Sequence, residues 1–98
     1  MRLLKEYREH ICDEVDGAQE YAEKYVESKA RGESGRASKY REMAYDELKH
    51  AEIVRDMAFE DMQKMAAVTP LSSEDEEEWN KVNKHCFEKM ALVKHMLS

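Results

Sequence analysis

The sequence predicts an all-α protein: an antiparallel hairpin of two long helices followed by a third, C-terminal helix. Three observations predict it. Its 98 residues include one Pro and three Gly, so little interrupts a helical ladder. Hydrophobic residues at 42% are mixed with charged residues at 39%, a balance that suits amphipathic helices over sheet. Apolar side chains also recur at steps of three and four along most of the chain.

The first helix is expected over about residues 3–30, where Leu4, Tyr7, Ile11, Ala18, Tyr21 and Tyr25 draw one stripe. Arg31-Gly32-Glu33-Ser34-Gly35 then supplies a helix-ending Gly and a capping Ser, the chemistry of a short turn between antiparallel helices. The second helix is expected over about 36–67, with Tyr40, Ala44, Ala51, Val54, Ala58 and Met65 on one side and Met43 and Met57 beside them. At a rise of ~1.5 Å per residue, both helices exceed about 40 Å. Val68-Thr69-Pro70-Leu71 stops the second helix, and Ser73 with Glu76 reads as a capping box opening the third, over about 73–97. Its apolar face is Trp79, Val82, Cys86, Met90, Val93 and Leu97, and the acids of residues 74–78 form a solvated start favoured by the helix dipole. The whole of 1–98 reads as one domain without internal repeats, and a core of this size is modest enough that a partner is expected.

Charge narrows the function classes. The formal net charge is -6, and Lys and Arg are scattered among acids, so neither nucleic acid nor a membrane surface is an expected partner. No apolar run approaches the roughly 18 residues of a spanning segment, and MRLLKEYREH turns charged too early for a signal-peptide core, so the protein is read as cytoplasmic. Cys12 and Cys86 lack Cys-x-x-Cys spacing and read as small apolar fillers. The four His lack a Cys-x-x-Cys-His motif for haem attachment.

Two positions break the apolar rhythm. In the series 7, 11, 14, 18, 21, 25 the third place is Glu14, and in 40, 44, 47, 51, 54, 58 it is Glu47, with His50 one turn on and on the same face. A carboxylate near a greasy stripe needs a cation, a salt bridge or an edge with solvent access. If the hairpin turns near residue 33, Glu14 lies level with about residue 52, close to Glu47 and His50. Glu20 passes the same height test but falls with Asp13, Asp16 and Glu27 on the polar side. Two carboxylates and an imidazole suit Fe, Mn or Zn, whereas an all-oxygen set would suit Mg or Ca.

The segments Asp13-Glu14-Val15-Asp16-Gly17-Ala18-Gln19-Glu20-Tyr21-Ala22 and Ala44-Tyr45-Asp46-Glu47-Leu48-Lys49-His50-Ala51-Glu52 resemble the first helical hairpin of the ferritin-like superfamily, particularly rubrerythrins and encapsulated ferritins. The resemblance covers about residues 11 to 60. It implies Glu14, Glu47 and His50 as iron ligands, with Tyr21 just outside them. A complete family bundle has a second Glu and a second Glu-x-x-His, and residues 68 to 98 contain no Glu-x-x-His, so one chain offers half of such a site. The resemblance to encapsulated ferritins implies a homodimer or larger homo-oligomer, a four-helix bundle completed by dimerisation, a di-iron centre shared between subunits, and an enclosing shell protein. It also implies ferroxidase-like or peroxide-reducing activity.

Other groups are weighed beside these. His10, one turn before Glu14, reads either as a boundary residue or as a group at the mouth of the site. Glu88 and His95 share a face of the third helix and with His85 read either as surface residues, the more ordinary case, or as a source of a third-helix ligand. Two functions remain open from the residues: an iron-binding ferritin-like protein, or a metal-free helical bundle serving as an oligomeric interaction or assembly module of the kind phage or mobile elements use.

Overall fold

The computed structural model describes residues 2–98, folded as three helices with no strand among the described residues: α1 (Arg2–Ala30), α2 (Ser34–Val68) and α3 (Ser73–Leu97). Together they form a rod of 55 × 19 × 17 Å.

The α1–α2 turn is built on Gly32, whose φ of +75° is the left-handed conformation glycine adopts without a steric penalty. Glu33 N–H donates to Ser28 C=O at 2.9 Å and Gly32 N–H donates to Lys29 C=O at 3.1 Å, the paired bonds of a Schellman end. Two caps differ from the sequence reading. Residue Ser34 lies inside α2; Glu33 precedes the helix, with no side-chain cap. For α3 the cap is Ser72, not Ser73: its hydroxyl accepts from Asp75 N–H at 3.1 Å, so the Ser73–Glu76 box is replaced by a single bond one residue earlier.

Small residues decide the main packing. Ala18 and Ala22 on α1 and Ala44, Ala51 and Ala58 on α2 are all fully buried, so the two backbones approach closely along the hairpin. Larger groups, Leu4, Ile11, Val15, Leu48 and Met62, fill the seam around them. The buried arc is therefore centred about one position beyond the stripes read from sequence. Val15, Ala22, Leu48 and Met62 are core, while Tyr7, Tyr21, Tyr40 and Met65 are half-buried at its edge and Met43 and Met57 are exposed.

Helix α3 buries the six residues expected of it, Trp79, Val82, Cys86, Met90, Val93 and Leu97. It runs parallel to α1, since Arg8 bonds Glu78 and Asp16 bonds Lys89, and antiparallel to α2, where Glu52 meets Lys94 and Arg41 Nε donates to Leu97 C=O at 3.0 Å. All these contacts lie on one flank of the hairpin, and the opposite flank is left without a covering helix. No helix among the described residues is long and apolar enough to cross a membrane.

Candidate metal centre

On the uncovered flank, α1 presents His10, Glu14, Gly17 and Tyr21 at successive steps of four, three and four. Facing them, α2 presents Tyr40, Glu47 and His50. The Tyr21 and Tyr40 rings stack with centroids 6.4 Å apart, closing the flank toward the hairpin turn, and the Tyr7 hydroxyl donates to Asp61 at the other side. Between these two tyrosine contacts lie His10, Glu14, Gly17, Glu47 and His50.

One donor atom from each of Glu14, Glu47 and His50 lies within 4.8 Å of the other two, which brings together the three residues singled out in the sequence. Their surroundings differ from the expectation of carboxylates inside an apolar seam. The Glu14 side chain is 22% exposed and His50 is 55% exposed, so both sit at the rim, with Val15 and Leu48 taking the core places beside the two carboxylates. Gly17 makes room for the far carboxylate: a Cβ built there would stand 3.4 Å from Glu47 Oε2.

Each oxygen of Glu14 faces an imidazole, with His10 Nε2 3.5 Å from Oε1 and His50 Nδ1 3.6 Å from Oε2. Among the described residues neither Glu14 nor Glu47 forms an ion pair with Lys or Arg. The hydrogen bond with Glu47 holds Glu14 below the usual carboxylate range, against the opposing effect of burial and with help from the charges of His50 and His10. The same bond raises Glu47 above that range, and burial and the Glu14 charge act in the same direction. The two carboxylates are thus coupled, with Glu14 the readier to ionise and Glu47 the readier to take up a proton.

The remaining candidates lie elsewhere. Glu20 is exposed and outside the cluster, as are Glu88 and His95 on α3. His85 borders a small void at the α1–α3 seam with Cys12 and Cys86. Both cysteines are free, and burial pushes both thiols up, which leaves them poorly nucleophilic. A broader groove of about 590 Å³ runs between α2 and α3 past Arg55, Phe59, Lys84 and Phe87, but it holds no cluster of metal donors.

Sequence reading underweighted two residues. His10 was legible as a partner of Glu14 from its four-residue spacing, while Gly17 carries a weaker signal, a glycine tolerated inside a long helix. Compared with known protein families, curated proteins and solved structures, the chain matches none.

Proposed function

We propose that this chain is a helical metal-binding protein that holds a divalent transition metal, iron first among them, between Glu14, Glu47 and His50 at the α1–α2 seam. The supporting observation is the convergence of three donors within 4.8 Å from two facing helices, on a flank that offers the carboxylates no lysine or arginine. Bonds of ~2.0–2.2 Å place neighbouring donors of a four-coordinate ion about 3.4 Å apart, a contraction that turns of the terminal side-chain torsions can deliver. The donor set of imidazole and carboxylate fits Fe(II), Mn(II) and Zn(II). Iron held there would supply one-electron chemistry toward dioxygen or peroxide, the basis of the oxidation or storage role that the resemblance implies.

Three donors leave outer coordination positions open, and two sources can fill them. One is a second copy approaching the flank that α3 leaves bare, which would build a di-iron centre shared between subunits in a four-helix arrangement. The other is the chain itself.

A second reading, a metal-free assembly module, is favoured by one observation: each oxygen of Glu14 already faces an imidazole and Glu47 lies beside it, so the acids have polar partners without a cation. Thermal unfolding separates the two. A cation that binds only the folded state stabilises it by about 2.7 kcal/mol at a hundred times its dissociation constant. Fe(II) under anaerobic conditions, Mn(II) or Zn(II) should raise the midpoint of the protein and leave that of Glu47→Ala unmoved. If no cation shifts either protein, and protein from iron-supplemented cells carries negligible iron, the metal reading falls and the assembly module stands.

A further inference from the structure

We infer that His10 is the fourth protein ligand, so that a single chain carries a complete site of two carboxylates and two imidazoles for one borderline divalent cation of the Zn(II), Co(II) or Fe(II) class. The inference rests on the metal reading above and takes the missing donor from this chain instead of a second copy.

Spacing makes the case first. His10 and Glu14 stand four apart on α1, and Glu47 and His50 three apart on α2, so each helix offers one Glu–His pair and the pairs face each other across the seam. Distances follow the same pattern. His10 Nε2 is 3.5 Å from one oxygen of Glu14 and His50 Nδ1 is 3.6 Å from the other. Each is close to the roughly 3.4 Å between neighbouring donors of a four-coordinate ion, with the two nitrogens on different oxygens of Glu14, of which a four-coordinate set takes one. Glu14 is thus the hinge of the site, flanked on each oxygen by a nitrogen.

His10 lies outside the tighter group formed by Glu14, Glu47 and His50. Its side chain is 57% exposed, so moving Nε2 from the edge of Glu14 toward a shared centre would turn an exposed ring and require no repacking of the core. Mixed nitrogen and oxygen donors select a borderline cation over Mg(II) or Ca(II).

Zn(II) titration of the full chain, followed by imidazole nitrogen–proton NMR spectra and by sedimentation, tests the inference. The expected result is one Zn(II) per monomeric chain, with the ring resonances of His10 and His50 shifting together and those of exposed His85 and His95 unmoved. His10→Ala should weaken binding at least about tenfold at unchanged helix content. If His50 shifts while His10 does not, if His10→Ala binds like the parent, or if binding appears only in dimers, the inference is overturned and the metal reading survives. Absence of Zn(II) binding by the parent, or binding indifferent to Glu47→Ala, overturns both. Should His10→Ala fail to fold, the spectra of the unaltered chain decide the question alone.

Discussion

On the flank of the hairpin that faces α3, acids meet amines: Asp16 accepts from Lys89 at 2.6 Å, Glu52 from Lys94 at 3.0 Å, and Glu78 pairs with Arg8. On the flank turned away from α3, Glu14 and Glu47 meet each other and the two imidazoles. The chain has 16 Lys and Arg to distribute, and among the described residues none pairs with these two acids. On the α3 flank a basic side chain stands beside each acid, in the place a free cation would take. On the bare flank the acids have only each other and two imidazoles, groups that can turn to a cation as ligands.

Giving the bare flank the other flank's solution is the sharpest way to break this contrast. Glu47→Lys supplies Glu14 with a permanent cation beside Gly17. It should abolish the metal-dependent gain, about 2.7 kcal/mol at a hundredfold excess over the dissociation constant, while leaving the metal-free protein at least as stable as before. Calorimetric midpoints with and without Zn(II) measure both. Retained metal stabilisation would show that Glu47 is not a ligand.

A smaller effect is expected from pH. Glu47 is raised by its hydrogen bond to Glu14, so the metal-free fold benefits while that proton is in place and loses stability as pH climbs through the raised value. Glu14, which is lowered, works in the opposite sense: its contribution is present above the ordinary carboxylate range and disappears as pH falls through the lowered value. Glu47→Gln keeps a donor for Glu14 without the ionisation. It should therefore exceed the parent in metal-free stability at pH 8 and converge with it near pH 4. Urea unfolding at the two values reads the difference, and a less stable Gln variant at pH 8 would mean that Glu47 is not raised by Glu14.

Comparable in size is Gly17→Ala. Removing glycine from a helix interior gains up to about 1 kcal/mol, and the new Cβ would meet Glu47 Oε2 at an ordinary 3.4 Å. Gly17→Leu has no such room and should displace Glu47, so metal binding should weaken in the Leu variant and persist in the Ala variant. Equal binding by the two would place Glu47 away from Gly17.

How far these contrasts were legible in the sequence depended on how many neighbours each helix has. Helix α3 packs against one side of the hairpin, so its buried arc is narrow and all six residues from Trp79 to Leu97 were readable by spacing. In α1 and α2 the arc faces both a partner helix and α3, which widens it toward Val15, Ala22 and Leu48 and moves Glu14 and Glu47 from its centre to its rim. A three- and four-residue rhythm fits either stripe, and only three-dimensional packing chooses between them. The acids were nevertheless visible, because a carboxylate at an otherwise apolar spacing is a chemical anomaly wherever the arc is centred. The side of the hairpin to which α3 docks was beyond reach of spacing, and that choice is what leaves the site's flank bare.

The smallest expected effect tests the other half of the contrast. Lys94 and Glu52 are 54% and 47% exposed, so their pair competes with water and gains little from Coulomb attraction. Replacing Lys94 with Gln should cost no more than about 0.5 kcal/mol in thermal unfolding, and the difference should vanish in high salt. The docking of α3 would then rest on Trp79, Val82, Cys86, Met90, Val93 and Leu97, the residues it buries. A loss several times larger that persists in salt would mean that the ion pairs hold α3 in place. In that case the two flanks would differ in strength of pairing as well as in chemistry, and the bare flank would be the weaker wall of the bundle.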